Sequence, residues 1–177
     1  FRIGKRVVFN GENKPKDLSD GDTFDIKPGS YVGVVSAEKL AMPLNIRAVI
    51  WTKRKFSYEG LSLLTGHHVD PGYEVHLLFT ILNASNKKVT LAFDEKICNI
   101  VFFQLESKSG GSFSDPHLVD GRFPPEFVKK IAASEASGFA AIQEEVKKIA
   151  DLQSRLAQLG SEQKEIFQPQ RAMPLGR

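Results

Sequence analysis

Cysteine is almost absent from this sequence, since Cys98 is the single example among 177 residues. One cysteine cannot form a disulfide within the chain. Cys98 lies in an apolar, strand-like run, which predicts a buried thiol in a reducing compartment. Apolar runs of the roughly 18 residues needed to span a membrane are missing, and the N-terminal residues show no signal-peptide pattern. We therefore expect a cytoplasmic protein with no membrane partner.

Recognisable metal and phosphate motifs are also missing. The sequence has no cysteine cluster, no His-Glu-x-x-His pair and no glycine-rich phosphate loop. A single cysteine excludes the cysteine-ligated zinc of the known nucleobase deaminases. Adjacent His67 and His68 would point to opposite faces of a strand, so we predict no metal site. The net charge of +3 is too small to indicate a specific nucleic-acid partner.

Short apolar runs separated by turn residues occupy the first part of the chain. Their spacing, with no helical period between them, predicts a mainly β fold, a sandwich or barrel, over residues 1–107. Asn83–Lys87 is rich in turn-forming residues and predicts a hairpin connection. The predicted strands are Arg6–Phe9, Tyr31–Val35, Asn45–Trp51, Leu61–Leu64, Val75–Leu82, Lys88–Phe93 and Lys96–Leu105.

The chain changes character near residue 108. Glycine and serine at 108–123 predict a linker and loop, and a proline-rich entrance followed by apolar residues at steps of three and four predicts an amphipathic helical extension over 124–167. The remaining residues, 168–177, are expected to form a flexible tail. The apolar positions of the helix are Phe139, Ile142, Val146, Ile149, Leu152, Leu156 and Leu159.

Three interpretations of the helical stripe stay open. The helix packs back onto the β domain, as one helix or as a hairpin broken near Gly138. It self-associates as a coiled coil, although its spacing slips between Val146 and Leu152. Alternatively, residues 126–167 bind a protein partner in a groove.

A cluster of basic residues, Lys53-Arg54-Lys55, follows one predicted strand. As a structural feature it is a solvated loop. As a functional feature it is a phosphate clamp, because guanidinium and ammonium groups bind phosphate oxygens. Ser57 and Tyr58 would add hydroxyl donors.

The segment Asp70-Pro71-Gly72-Tyr73 predicts a sharp corner before a strand. Asp70 is either a turn residue bonded to its own backbone or a carboxylate that orients a water molecule. Tyr73 either packs in the domain or presents its ring to a flat ligand.

An ordered set of motifs resembles the dCTP deaminase and dUTPase superfamily, closer to the deaminase branch. Val69-Asp70-Pro71-Gly72-Tyr73 resembles its Ile-Asp-Pro-Gly-Trp or Ile-Asp-x-x-Tyr motif, and Ile26-Lys27-Pro28-Gly29 resembles its Pro-Gly strand entry. Residues 96–102 resemble its Ile-x-Gln-Leu-x-Phe strand. Gly110-Gly111-Ser112-Phe113 is a faint echo of the glycine-rich arm of dUTPases.

This resemblance implies a distorted β-barrel or jelly-roll subunit in a homotrimer, with nucleotide sites between subunits. The family ligands are deoxyuridine or deoxycytidine triphosphates, with Mg²⁺ on the phosphates. Asp70 matches the carboxylate that positions the attacking water in dUTPases. Tyr73 matches the aromatic residue associated with deoxyribose.

Several positions depart from the family pattern. Basic residues of the Lys53–Lys55 cluster replace its phosphate-loop serines, and Asn99 replaces a glutamine. Thr80 stands where the deaminase branch has its proton-shuttling glutamate, and a threonine hydroxyl cannot act as a carboxylate base near neutral pH. Deamination is therefore expected to be lost.

Three functions remain open on the sequence. The first is a catalytically degenerate trimer that binds a deoxynucleotide or another phosphate ligand through Lys53, Arg54, Lys55, Ser57, Tyr73 and Asn99. The second is an active pyrimidine deoxynucleotide triphosphate hydrolase or deaminase that uses Asp70. The third is a structural or regulatory trimer without nucleotide binding.

Overall fold

A computed structural model describes residues 1–134 and 138–166. Its strands are β1 (Ile3–Phe9), β2 (Lys16–Asp17), β3 (Thr23–Ile26), β4 (Tyr31–Lys39), β5 (Ile46–Thr52), β6 (Leu61–Leu63), β7 (His68–Val69), β8 (His76–Asn83), β9 (Val89–Ala92) and β10 (Cys98–Gln104). Its helices are α1 (Arg54–Tyr58), α2 (Pro116–Val119), α3 (Pro125–Ala132) and α4 (Gly138–Ile166). The predicted mainly β fold with a C-terminal helical extension is confirmed.

The strands form three antiparallel sheets. A five-stranded sheet has the order β2-β1-β4-β8-β6, a three-stranded sheet the order β10-β5-β7, and a two-stranded sheet pairs β3 with β9. Within the described residues these sheets do not close into one barrel. Strand β8 alternates between half-buried and buried positions, because successive side chains point to opposite faces.

The predicted hairpin at Asn83–Lys87 is wrong, because β8 and β9 belong to different sheets. Strand β8 ends at Asn83, whose side chain is fully buried. The side-chain Nδ2 of Asn83 donates to the backbone carbonyl oxygens of Ile26 and Lys87, each at 2.8 Å. The side-chain Oδ1 of Asn83 accepts hydrogen bonds from the backbone amide and the hydroxyl of Ser85. These bonds hold the segment after β8 against itself and against Ile26 at the end of β3, where a hairpin would have had strand pairing.

Two apolar cores lie on the two faces of the five-stranded sheet. The larger lies among the three sheets and includes Phe79, which is 1% exposed. The smaller lies beneath α2 and α3, where the rings of Phe123 and Phe127 stack with centroids 5.6 Å apart. Asp115 caps α2 by accepting a hydrogen bond from the His117 amide at 2.8 Å, which satisfies one of the free donors of the first turn.

The chain divides into two compact units, residues 1–140 and residues 141–177. Residues 135–137 of the predicted helical extension, and its end at residue 167, lie outside the described residues, as does the tail at 168–177. Among the described residues, no helix combines the length and apolar character that a membrane crossing requires.

Candidate functional site

The Asp70–Tyr73 corner is held between two other segments by backbone hydrogen bonds. The Met42 amide donates to the Tyr73 carbonyl at 2.9 Å, and the Phe113 amide donates to the Gly72 carbonyl at 3.0 Å. Gly72 has a φ of 74°, and a Cβ there would lie 2.8 Å from the Cα of Ser112. Glycine is therefore required both for its backbone conformation and for the close approach of the 111–113 segment.

Tyr73 is engaged on its ring and on its hydroxyl. Its ring stacks on Phe113 with centroids 5.1 Å apart and planes 11° apart. Its hydroxyl donates to the backbone carbonyl of His76 at 3.0 Å. Burial raises the pKa of Tyr73 to about 12, so the hydroxyl remains a donor at neutral pH. Tyr73 also packs against both apolar cores, so a ligand that stacks on the ring face now covered by Phe113 must displace Phe113.

Asp70 occupies the exposed side of the same corner. Within the described part of the chain, its carboxylate makes no side-chain hydrogen bond and no ion pair. It is therefore free to accept hydrogen bonds from water or from a ligand.

The basic cluster lies at the entrance to α1. Lys53 precedes the helix at its N-cap position, and the buried Phe56 anchors the helix to the core. Lys55 forms an ion pair with Glu95 at 3.3 Å. The Lys55 ammonium also lies 4.8 Å from the centroid of the Phe56 ring. Lys53 and Arg54 carry no ion pair within the described residues. The cluster thus offers two available cations rather than three.

The hydroxyl residues predicted beside this cluster are exposed on α1. Ser57 makes no side-chain hydrogen bond within the described residues, and Tyr58 is 81% exposed. Asn99 also belongs to this end of the three-stranded sheet, because it pairs with Trp51 in the register of β10 and β5. One end of that sheet therefore carries all five residues: Lys53, Arg54, Ser57, Tyr58 and Asn99.

Asp70 lies at the opposite end of the three-stranded sheet from the basic cluster. In the β5–β7 register, Ala48 pairs with Val69, which places Asp70 beside Arg47. Strand residues rise by about 3.3 Å each, so the distance along β5 from Arg47 to Lys53 is about 20 Å. One copy of the chain does not bring the Asp70 carboxylate and the basic cluster to the same point.

Thr80 lies in the central part of β8. Its Cα partner on β4 is Gly33, and paired residues present their side chains to the same face of a sheet. A Cβ on Gly33 would lie 2.6 Å from the Phe127 ring of α3, so this ring packs directly over the pair. The Thr80 amide donates to the Thr65 hydroxyl at 2.7 Å.

An exposed apolar face covers the outside of the three-stranded sheet, and we call it the outer face. Trp51, Val101 and Phe103 are 40%, 39% and 43% exposed, and the register of β10 and β5 places them on one side with Val49. The Arg47 guanidinium lies 5.6 Å from the centroid of the Phe103 ring. Strand β10 is also an edge strand of this sheet.

Sequence reasoning missed the role of Phe113 as a cover for Tyr73 and the role of Glu95 as the partner of Lys55. The resemblance of the residues around Phe113 to a glycine-rich arm was a usable signal for the contact between Phe113 and Tyr73. No local pattern indicated the ion pair between Lys55 and Glu95, because forty positions separate them.

Comparisons with known proteins agree with this fold. A family model described as dCTP deaminase-like matches residues 6–105, more than half of the sequence. The chain belongs to the dCTP deaminase-like family. It is 30% identical over 106 residues to the dCTP deaminase of Thermococcus kodakarensis, covering 60% of this chain and 66% of that relative. The chain thus spans slightly less than two thirds of the relative's length.

The solved structures that are similar include a deaminase and a dUTPase. The 2'-deoxycytidine 5'-triphosphate deaminase of Agrobacterium tumefaciens has a TM-score of 0.50 at 16% identity, covering 57% of this chain and 37% of that chain. The EIAV dUTPase has a TM-score of 0.44 at 18% identity, covering 62% of this chain and 98% of that chain. The first likeness supports the fold alone.

Proposed function

We propose that this protein is a homotrimer that binds a pyrimidine deoxynucleotide triphosphate in pockets shared between neighbouring subunits, and that it has lost deamination. The main support is the separation of about 20 Å between the Asp70 end and the Lys53 end of the three-stranded sheet. A ligand that contacts the Asp70 corner and a basic cluster together requires the corner of one subunit and the cluster of another.

The outer face supports the assembly. Trp51, Val101 and Phe103 form an apolar surface, and such exposed patches mark interaction sites in folded proteins. A second copy of the same chain is the proposed occupant, because a shared pocket needs neighbouring copies in contact. Closed rings of identical subunits satisfy this requirement at every interface.

Each proposed pocket has two parts, one from each of two subunits. Lys53 and Arg54 bind phosphate oxygens, with Ser57 as a hydroxyl donor and Asn99 as an amide partner from the adjacent strand. The corner of the neighbouring subunit contributes Asp70 and the exposed part of the half-buried Tyr73 side chain.

Mg²⁺ in this proposal is held by the nucleotide phosphates. Carboxylate oxygens are the protein ligands that Mg²⁺ prefers, but among the described residues no group of three or more His, Cys, Asp or Glu side chains forms a metal site. Mg²⁺ bound to phosphates would neutralise their charge.

The loss of deamination follows from Thr80. Deamination of a cytosine ring requires a group that takes up and returns protons, and a threonine hydroxyl does not ionise near neutral pH. The Phe127 ring packs over the Gly33–Thr80 pair, so the face of the sheet that carries the Thr80 side chain has an apolar neighbour.

A second candidate function is hydrolysis of the triphosphate, and the unengaged carboxylate of Asp70 favours it. A carboxylate without a partner can orient and deprotonate a water molecule. Release of pyrophosphate that disappears in Asp70→Asn would establish this activity.

The exposed stripe of α4 supports self-association of the helix. Ile142, Val146, Ile149 and Leu152 are 53% to 62% exposed, while Asp151 and Arg155 form an ion pair along the helix. A trimeric head would bring three copies of the helix close together and raise their effective concentration. A helix that binds another protein is the alternative, and it would leave the purified helix unpaired.

Subunit mixing tests the shared pocket. Asp70→Asn and the double variant Lys53→Ala/Arg54→Ala should each lose the thermal stabilisation by deoxynucleotide triphosphates with Mg²⁺. Random co-assembly of the two variants should restore about a quarter of the pockets, since each pocket draws on two subunits. Co-assembled trimers that bind no nucleotide would contradict a pocket shared between subunits.

A further inference from the structure

Two irregularities of the five-stranded sheet lie side by side. Between the pairs Ile3–Ser36 and Val7–Val34, β1 has more residues than its partner β4. Strand β4 is itself bulged against β8 between Val35 and Lys39. A Cβ on Gly4 would lie 2.4 Å from the Val35 carbonyl oxygen, so only glycine allows the strands to meet here. Bulges redirect side chains and are frequent beside binding sites.

A cavity with two lobes opens at these bulges. The inner lobe has a volume of about 260 Å³ and its walls include Val35, Ala37, His76 and Phe93. The outer lobe has a volume of about 550 Å³, and its wall contains charged residues, among them Asp20. Four residues line both lobes: Lys5, Phe93, Asp120 and Gly121. The outer lobe falls within the range of small-molecule sites, roughly 300–1,000 Å³, and the inner lobe is slightly smaller than that range.

The wall of the inner lobe is fixed before any ligand arrives. The Nδ1 of His76 lies 2.8 Å from the Ser36 carbonyl oxygen. A carbonyl oxygen only accepts, so Nδ1 carries the proton and the ring orientation is set. The Ser36 hydroxyl donates to the Glu38 carbonyl at 2.6 Å and accepts from the Leu77 amide at 2.9 Å, which holds the bulge in place.

Charges in the outer lobe are partly paired. Arg6 forms an ion pair with Asp17 at 2.8 Å, and Asp120 forms one with Arg122. Lys5 and Asp20 line the same lobe, yet within the described residues neither forms an ion pair. The outer lobe therefore presents one available cation and one available anion beside an apolar inner lobe.

We propose that this cavity binds a free α-amino acid with an apolar or aromatic side chain. The ligand carboxylate pairs with Lys5, and its ammonium group pairs with Asp20. Its side chain enters the inner lobe between Ala37 and Phe93. A triphosphate is disfavoured because it would lie against several carboxylates of the outer lobe. This site uses none of the residues assigned to the nucleotide pocket, so the two proposals stand independently.

The experiment uses the full chain with L-phenylalanine and L-leucine as probes, in isothermal titration calorimetry and thermal unfolding. Both probes should bind and raise the unfolding temperature. Phenethylamine lacks the carboxylate and 3-phenylpropionate lacks the ammonium group, so each should bind about tenfold more weakly than phenylalanine, the loss expected for one charged hydrogen bond. Equal binding by the three aromatic compounds, or no binding by either amino acid, would overturn the proposal.

Matched variants locate the site. Lys5→Gln should lower phenylalanine affinity about tenfold. Lys27→Gln changes an exposed lysine just after β3 that lines neither lobe, and it should leave the affinity unchanged. Ala37→Leu should abolish binding by filling the inner lobe, with circular dichroism confirming the folded state. Unchanged affinity in folded Ala37→Leu, or equal losses in the two lysine variants, would place the binding elsewhere and refute the assignment.

Discussion

The rings of Tyr73 and Phe113 stack 5.1 Å apart and almost parallel, at 11°. This contact joins the Asp70–Tyr73 corner to a segment that begins beyond the family-matched residues, which end at 105. It covers one face of the ring proposed to meet the sugar. The accessible part of the candidate pocket therefore depends on a residue forty positions away.

Replacing Phe113 with alanine should destabilise the β unit. Stacked aromatic pairs contribute about 0.5–1.5 kcal/mol beyond their buried area, so we expect the free energy of unfolding in urea to fall by about 1–2 kcal/mol. Tyr58→Ala is the control, since Tyr58 is 81% exposed. Equal stability of the two variants would show that the stack contributes nothing.

Gly33→Ala should destabilise through a collision with α3. The added Cβ would lie 2.6 Å from the Phe127 ring, and overpacking of this kind costs about 1–3 kcal/mol. Gly66→Ala is the matched control, because nothing lies within 4 Å of a Cβ there. Adding Phe127→Leu should recover part of the loss in a double-mutant cycle. Additive losses would mean that the two residues do not interact.

The assembly prediction concerns the outer face. The protein should sediment as a trimer, and Phe103→Asp should weaken that trimer because it places a charge in the proposed apolar interface. Lys27→Asp, which alters an exposed residue outside the outer face, should sediment like the parent. A monomeric parent protein would remove the basis for a pocket shared between subunits.

Deaminase activity should be negligible. With Thr80 in place of a glutamate, ammonia release from dCTP should not exceed that of a blank with heat-denatured protein. Robust ammonia release that is unaffected by Thr80→Val would show that another residue carries the proton.

Cys98 should resist alkylation in the folded protein. Burial raises the pKa of its thiol to about 12, and only the thiolate is a good nucleophile. At pH 8 the thiol is thus protonated and enclosed, so iodoacetamide should modify it only after unfolding, as judged by mass spectrometry. Rapid labelling of the native protein would contradict the packing around β10.

The local pattern of the chain was sufficient to predict much of the fold. Short apolar runs bounded by turn residues identified β1, β4, β5, β6, β8, β9 and β10, because both the apolar content of a strand and the turn residues beside it are local properties of the sequence. Short elements escaped prediction. Strands β2 and β7 have two residues each, too few to show any period, and α1 is held by the burial of Phe56.

The sequence by itself determined the strand-forming runs, the Asp-Pro-Gly corner and the apolar stripe of α4. It also determined that position 80 holds a threonine instead of a glutamate. Each is a property of residue identity and local spacing. Only the tertiary structure decided that Asn83 leads into another sheet, that Phe113 covers Tyr73, and that Asp70 and Lys53 belong to opposite ends of one sheet. Those relationships depend on pairing between residues far apart in the chain, which local propensities do not specify.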